Sequence, residues 1–334
     1  MMAVTSHDVA RLAGVSQATV SRALRDDPRV SAETRDAVAG AARALGYVRS
    51  EIGRSLSTRS THQIAMVADL DNALYPRLVA PLHDALMDRG YRMVVLAERG
   101  DEMAAYSRLL DGSVDGAVLT TSQLRSSLPF MLRSRQFPFV QMNRISDLAD
   151  ADSVTADNRA GAAAVAALLA QSGHTRIALV AGPDTTSSSR DREAGFRGAL
   201  EEHGIDLPPR RVARGEFTYD DGSRALRELM SLEDRPTAVF CVTDLLAVGA
   251  IHEAHVMGLG VPEDVSIVGF DDLELAAWPG INLTTVSIDF PQMAELAADL
   301  ILARLTVDKT APTKHHVLST ELILRGTHQA PTSR

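Results

Sequence analysis

The sequence predicts an α/β protein in two parts: an all-α helix-turn-helix headpiece, then a body of two doubly wound parallel-sheet subdomains. Three observations predict it. From residue 63 onward, short and nearly uninterrupted apolar runs alternate with longer amphipathic stretches, as expected of parallel strands covered on both faces by helices. That alternation occurs in two series, one after the other. Residues 1–62 contain no such runs, only apolar residues at helical spacing.

Three short helices are predicted at the front: Ser6 to Ala13, Ser16 to Leu24, and Ser31 to Leu45. Each opens with a Ser whose hydroxyl can accept from a first-turn amide that lacks an intrahelical partner. Val9, Ala13, Val15, Val20, Leu24, Val38, Ala42 and Leu45 recur at helical spacing and fill one small core. Ala10 and Gly14 are small where two helices cross. In such a unit the second helix enters the major groove with its N-terminal residues leading. The same pattern fits a plain helical bundle capping the body. Gln17, Thr19, Ser21 and Arg22 stand on the outer face, where a merely solvated helix more often carries Glu and Lys. Double-stranded DNA is therefore the expected partner.

In the body, "QIAMVADL", "YRMVVLAE", "VDGAVLTT" and "FPFVQMN" read as strands, with helices after the first three. The second series is "RIALVAG", "RVARGEFT", "TAVFCVTD" and "VSIVGFDD", with helices starting near Asp191, Asp220 and Asp244 between them. The Ala/Leu-rich "NRAGAAAVAALLAQSG" links the two series and stops at Gly173, in a left-handed cap. In open parallel sheets ligands bind beyond the carboxyl ends of the strands. A small molecule is expected in the cleft between the two sheets.

The bulk numbers set limits on function. At 334 residues and 45% hydrophobic, the chain can bury several cores. The net charge of -9 is uneven: residues 1–62 hold nine Arg against six Asp+Glu, or +3, and the remainder holds 25 Lys+Arg against 37 Asp+Glu, or -12. A basic front on an acidic body suits a nucleic-acid-binding module joined to something else. The single Cys241, in an apolar run, excludes an internal disulfide and reads as a buried small hydrophobe. The N-terminus lacks a basic start followed by an apolar core, and no stretch is apolar enough to span a bilayer. A cytoplasmic protein with no membrane partner is expected.

Within this frame, specific motifs carry a resemblance. "HDVARLAGVSQATVSRAL" and "VSAETRDAVAGAARALGY" are followed in order by "SVTADNRAGA", "DREAGFRGAL", "RPTAVFCVTDLLAVGAI", "VPEDVSIVGFDD", "LTTVSID" and "ELILRG". The chain resembles the lactose-repressor (LacI/GalR) type of bacterial transcription regulator over nearly its whole length. The resemblance implies a periplasmic-binding-protein-like core whose subdomains are each completed by strands that return late. It assigns 1–48 to the headpiece, 49–61 to a hinge, 62–157 with 290–317 to one subdomain, 158–289 with 318–326 to the other, and 327–334 to a tail. It also implies a homodimer on a near-palindromic operator. The chain ends soon after "ELILRG" with no heptad tail, so a dimer is expected rather than a tail-tethered tetramer.

Carried over residue by residue, the resemblance places Gln17 and Ala18 at the leading recognition positions and Arg22 as a base-contacting Arg. Arg can grip guanine with two hydrogen bonds, Gln can grip adenine, and Ala18 offers only an apolar contact. Ser16, Thr19 and Ser21 suit phosphates, and Ser16 can cap its helix at the same time. Leu56 resembles the leucine that the family's hinge helix wedges into the minor groove. Two departures stand near it: Arg49-Ser50 replaces a usual Pro-Asn, and Gly53 replaces a common Ala. Interior glycine disfavours helix by about 1 kcal/mol, so this hinge helix is expected to form less readily and to lean more on bound DNA for its order.

For a small polar effector, such as a sugar or related metabolite, the resemblance points to Asn72, Leu74, Tyr75, Arg144, Arg192, Phe217, Asp271 and Trp278. An Arg, an Asp and flat rings at strand ends suit a small polar ring. Tyr75 and Trp278 fit plain core packing as well. Asp244 reads as the cap of the helix it opens. Thr243 replaces the family's usual Asn, which removes an amide donor from the cleft. On the helix from Leu245, Ala250, Ile251, Ala254 and Met257 are either dimer contacts or packing within one subdomain. No catalytic or metal site is expected, and no cofactor: Asp271-Asp272 point to different sides of a strand end, and His315-His316 lack a third ligand. The rival reading is a solute-binding protein with the same core fold. The missing signal peptide and the intact helix-turn-helix favour the regulator.

Overall fold

The computed structural model describes residues 4–24, 26–47, 60–98, 100–306 and 311–331. The chain divides into two compact units, Met1–Thr61 and His62–Arg334. The hinge residues Arg49, Ser50, Gly53 and Leu56 lie outside the described residues.

In the first unit, α1 spans Ser6–Ala13, α2 spans Gln17–Ala23 and α3 spans Ala32–Ala44. Ser16 caps α2 and Ser31 caps α3, each hydroxyl accepting from the amide three residues on, at 3.1 and 3.3 Å. The expectation that Ser6 caps α1 is corrected. Thr5 holds that position, and its amide and hydroxyl both donate to the Asp8 carboxylate, at 3.0 and 2.7 Å. Asp8 also places negative charge in the first turn, where the helix dipole favours it. Val9, Val20 and Val38, one from each helix, are fully buried at the centre. Ala10, Ala23, Val30 and Ala41 complete the core, and Ala13, Val15, Leu24, Ala42 and Leu45 pack around it.

The second unit holds two parallel sheets. The first has six strands in the order β11-β5-β4-β3-β1-β2, and the second has four in the order β7-β6-β8-β9. In the first series β1 (Gln63–Ala68), β2 (Arg92–Ala97), β3 (Gly116–Leu119) and β4 (Phe139–Met142) occupy the predicted runs. The helices that follow the first three are α4 (Tyr75–Asp88), α5 (Glu102–Leu109) and α6 (Leu128–Ser134). Strand β5 (Ser153–Ala156) was not among the predicted strands. It is short and joins β4 through two residue pairs only.

Helix α7 (Asn158–Gln171) leads to the second sheet of β6 (Ile177–Ala181), β7 (Val212–Arg214), β8 (Ala238–Cys241) and β9 (Ser266–Val268). Gly173, at φ 92°, takes the left-handed conformation that ends α7. The intervening helices are α8 (Ser187–Glu202), α9 (Tyr219–Met230) and α10 (Asp244–Val256). Two of their starts match the prediction, near Asp220 and Asp244, while the first lies at Ser187, ahead of Asp191; Thr186, Thr218 and Thr243 are the caps. Helices α7 and α8 pack so closely that a Cβ on Gly195 would lie 2.2 Å from the Arg159 carbonyl oxygen.

The late chain returns to both sheets. Strand β10 (Thr285–Ile288) adjoins β9 through a Val268–Thr284 bridge. Helix α11 (Phe290–Thr306) then packs on α4, β3, β4 and β5. Strand β11 (His315–Leu318) joins β5 in parallel, and β12 (Thr320–Ile323) runs antiparallel to β10. On α10, Ala250, Ile251 and Ala254 are buried within their own subdomain, which favours internal packing over a dimer contact; Met257 is exposed. Among the described residues, no helix is long and apolar enough to cross a membrane.

Candidate functional site

The headpiece presents one polar face along α2. Ser16, Gln17, Ala18 and Arg22 are exposed, while Thr19 and Ser21 are half-buried. Val20 and Ala23, buried beneath them, fix which side of α2 faces outward. The Gln17 amide nitrogen donates to Ser6 Oγ at 3.0 Å, which ties the first side chain of α2 to α1. The Ser16 hydroxyl is engaged with Thr19 through both the backbone amide and Oγ1.

In the second unit a cleft lies beyond the carboxyl ends of the strands. An inner cavity is lined by Leu74, Asn143, Ser188, Arg192, Thr243 and Asp271, among others. An outer, larger one is lined by Asp69, Glu98, Thr121, Gln123, Thr185 and Glu216, among others. Asn72, Arg144 and Phe217 line both. These residues follow β1, β2, β3, β4, β6, β7, β8 and β9 in turn, the position where parallel sheets hold ligands.

Arg192 and Asp271 form the floor. Arg192, on the first turns of α8, is 3% exposed and Asp271, just past β9, is 2% exposed. Nη2 of Arg192 lies 2.8 Å from Oδ1 of Asp271, Nε donates to Asn158 Oδ1 at 2.8 Å, and Nη1 donates to the Val242 carbonyl. The guanidinium carbon sits 3.8 Å from the Phe270 ring centroid. Nε and Nη1 each spend one N–H on these bonds, so Nη1 keeps one donor, while Nη2 is held by the ion pair alone. Asp271 Oδ1 receives no aligned hydrogen bond despite its ion pair, and keeps acceptor capacity. Burial pushes the Asp271 carboxyl up from the ordinary carboxylate range, and the neighbouring Arg192 charge opposes that rise.

The backbone here is strained. Asp271 has φ 114° and Asp272 φ 49°. A non-glycine residue held so costs about 1–3 kcal/mol, which the surroundings must supply. The Asp271 amide donates to the Val286 carbonyl at 2.8 Å, and the Asp244 amide to the Phe270 carbonyl at 2.7 Å, pinning the turn on both sides. Asp272 turns the other way, to Arg325 at 2.7 Å. The reading of Asp244 as a helix cap is corrected: its buried carboxylate accepts from the Leu273 amide and the Thr285 hydroxyl, and so braces the same turn. Burial and the nearby Asp271 charge push the Asp244 carboxyl well up.

Arg144 and Phe217 form the neck between the cavities. Asn143, at φ 72°, makes the left-handed turn after β4 that directs Arg144 into the cleft. The Arg144 guanidinium carbon stands 4.9 Å from the Phe217 ring centroid, a cation–π contact. Its Nε is buried without a hydrogen-bond partner. Phe217 reaches this place because position 182 lacks a side chain: a Cβ there would lie 2.3 Å from the ring.

Six of the eight effector candidates read from the sequence converge on the cleft: Asn72, Leu74, Arg144, Arg192, Phe217 and Asp271. Two do not. Tyr75 is fully buried below the strand ends, and its hydroxyl donates to the Thr120 carbonyl at 3.1 Å. Trp278 is 55% exposed after a short 3-10 helix and lines neither cavity. Sequence reasoning missed Asn143, Ser188 and the acidic wall of Asp69, Glu98 and Glu216. The position of Asn143, Asp69, Glu98 and Glu216 near the carboxyl ends of predicted strands was the available signal; Ser188, in the first turn of α8, had none.

Comparison with known proteins decides the family. Residues 5–50 match the bacterial regulatory proteins of the lacI family, and residues 166–328 match a periplasmic binding protein-like domain. The ribose operon repressor of Escherichia coli (strain K12) is 34% identical over 307 residues, covering 90% of this chain and 93% of that one. The chain belongs to the LacI family of bacterial regulatory proteins. Among solved structures, the Lac repressor dimer bound to operator and the anti-inducer ONPF superposes with a TM-score of 0.89 at 27% identity, over 98% of this chain and 100% of that one. The transcriptional regulator CelR–cellobiose complex gives 0.76 at 32% identity, over 97% and 99%. This LacI-family member is a DNA-binding transcriptional regulator with an effector-binding core.

Proposed function

We propose that this protein is a cytoplasmic repressor that binds a near-palindromic operator as a homodimer and changes its DNA affinity when a sugar or related metabolite enters the cleft. In this reading Gln17, Ala18 and Arg22 contact base edges, Ser16, Thr19 and Ser21 contact phosphates, and Leu56 enters the minor groove between half-sites. Arg192, Asp271, Arg144, Phe217, Asn72 and Leu74 hold the effector. Tyr75 supports the strand ends beneath it, and Trp278 lies apart from it. The two subdomains are 62–157 with 290–317, and 158–289 with 318–326. No enzymatic role is part of this reading: the adjacent carboxylates Asp271 and Asp272 face separate cations, Arg192 and Arg325.

The observation that carries the effector half is Asp271, a buried carboxylate with an unfilled acceptor in a strained turn at the cleft floor. A ligand that bridges the two subdomains favours one closure angle. It shifts DNA affinity only by its difference in affinity for the two forms. A solute-binding protein shares such a cleft, but it has no use for a helix-turn-helix unit with an exposed reading face.

The test is a gel-shift titration. The operator is first selected from genomic fragments and is then challenged with sugars, nucleosides and amino acids. Asp271→Asn keeps a residue that tolerates positive φ and removes the charge. It is expected to abolish the effector response while the operator is still bound. No retention of any fragment at low salt, with every metabolite tried, overturns the reading.

A further inference from the structure

The two cavities differ in chemistry, and the difference bears on which molecule fits. The floor of the inner one is an ion pair, Arg192 with Asp271, so it offers donors and an acceptor side by side without net charge. The outer one is walled by carboxylates, Asp69, Asp71, Glu98 and Glu216, with Arg144 as the one cation among the described residues that line it. Hydroxyl-bearing neighbours, Thr121, Thr185, Thr186 and Thr218, stand between them. Such a wall repels phosphate and carboxylate and accepts hydrogen bonds from hydroxyls. Its one aromatic ring is Phe217 at the neck, so a flat base would find no second face to stack on.

Resting on the effector reading above, we propose that the effector is an uncharged glycoside of two linked rings that fills the outer cavity, about 510 Å³, and opens the inner one, about 20 Å³ while Arg144 packs on Phe217. The first ring lies on Arg192 and Asp271, whose remaining donor and open acceptor match neighbouring hydroxyls. The linkage crosses the neck beside Phe217. There the unpartnered Arg144 Nε finds a ring or bridging oxygen. The second ring donates its hydroxyls to Glu98 and Glu216. Arg144 now packs on the Phe217 face, so it moves aside or tilts as the ligand enters.

The experiment is calorimetric titration and thermal shift on the full chain, with neutral disaccharides of α and β linkage (maltose, cellobiose, lactose, trehalose, sucrose, melibiose). Their constituent monosaccharides, ribose, glucose 6-phosphate, sucrose 6-phosphate and common nucleosides are run beside them. At least one disaccharide is expected to bind about tenfold or more tighter than its monosaccharides, and sugar phosphates are expected to bind worst. In Glu98→Gln with Glu216→Gln, the ratio of disaccharide to monosaccharide affinity is expected to narrow, and so is discrimination against sucrose 6-phosphate. Equal or better binding of a monosaccharide, a nucleoside or a phosphorylated sugar overturns this inference and leaves the effector-controlled repressor standing. No shift from any of these compounds, nor from amino acids, overturns both.

Discussion

Arg192 and Asp271, 79 positions apart in sequence, form an ion pair of 2.8 Å at the floor of the cleft, both almost fully buried. A buried pair is costly to break from one side, because the survivor keeps its charge without its partner. The two sides are not equal. Arg192 also satisfies Asn158 Oδ1 and the Val242 carbonyl, whereas Asp271 makes no further side-chain hydrogen bond through Oδ1. Arg192→Met is therefore expected to lower unfolding free energy by about 3–5 kcal/mol. Asp271→Asn, which keeps an acceptor, is expected to lose about 1–3 kcal/mol. Urea unfolding of the two variants gives the order, and a larger loss for Asp271→Asn contradicts it.

In the headpiece, Arg22 projects from the exposed face of α2, close to its C-terminus. Arg22→Ala is expected to weaken operator binding by roughly 1–3 kcal/mol and to relax preference at one base pair. Ser16→Ala removes a hydroxyl that caps α2, so its expected effect is uniform over sequences. Binding measured against a library of single-base operator variants separates the two patterns. A uniform loss for Arg22→Ala counts against direct readout.

Phe217 depends on an absent side chain. With Gly182→Ala, the new methyl meets the Phe217 ring, a half-buried group that can swing away. The ring leaves the neck and its contact with Arg144 is lost. Effector affinity is expected to fall about tenfold, close to 1.4 kcal/mol, while the unfolding midpoint changes little. Calorimetric titration beside a thermal melt checks both halves. A large stability loss with unchanged affinity would mean that the ring belongs to the core and not to the site.

Much of this was legible in the sequence because it obeys local rules. Apolar runs marked eight strands, and helical spacing with Ser16 and Ser31 marked two of the headpiece helices. The same local rules placed helix starts near Asp220 and Asp244 but set one near Asp191, past its start at Ser187. Thr186, Thr218 and Thr243 provide the hydroxyl caps. Asp244 then became free for a tertiary role, bracing the Asp271 turn from 27 residues away. Nothing in its own neighbourhood encodes that role. Tyr75 was ambiguous for a similar reason: an aromatic just after a strand end can line the cleft or support it, and only the bond to Thr120 decides. Strands β5, β10, β11 and β12 mix polar with apolar residues and lack the apolar runs that marked most of the others, and their pairing is set by partners far along the chain.

Two histidines give the core an acid sensitivity of predictable sign. His174 is 1% exposed; its Nδ1 lies 2.9 Å from Thr237 Oγ1 and its Nε2 lies 2.8 Å from the Gln329 carbonyl. With Nε2–H donating to the carbonyl, Nδ1 of the neutral ring can accept from the Thr237 hydroxyl, which also lies 3.4 Å from the Arg176 carbonyl. His328 bonds Thr284 Oγ1 at 2.8 Å in the same region. Burial lowers the pKa of both rings below the ordinary histidine value of 6.5. A lowered folded value means that the stabilisation is complete above pH 6.5 and is lost as pH falls through the folded pKa. In that window each proton taken up on unfolding lowers stability by up to about 1.4 kcal/mol per pH unit. The raised carboxyls Asp244 and Asp271 work in the opposite direction on acidification, so the histidine contribution is read as a difference. Thermal midpoints measured from pH 7.5 downward are expected to fall more steeply below pH 6.5 in the wild type than in His174→Gln with His328→Gln. The glutamine amides can still donate to the Gln329 carbonyl and accept from the threonines, without titrating. Parallel curves for the two proteins would show that neither ring is held neutral by the fold.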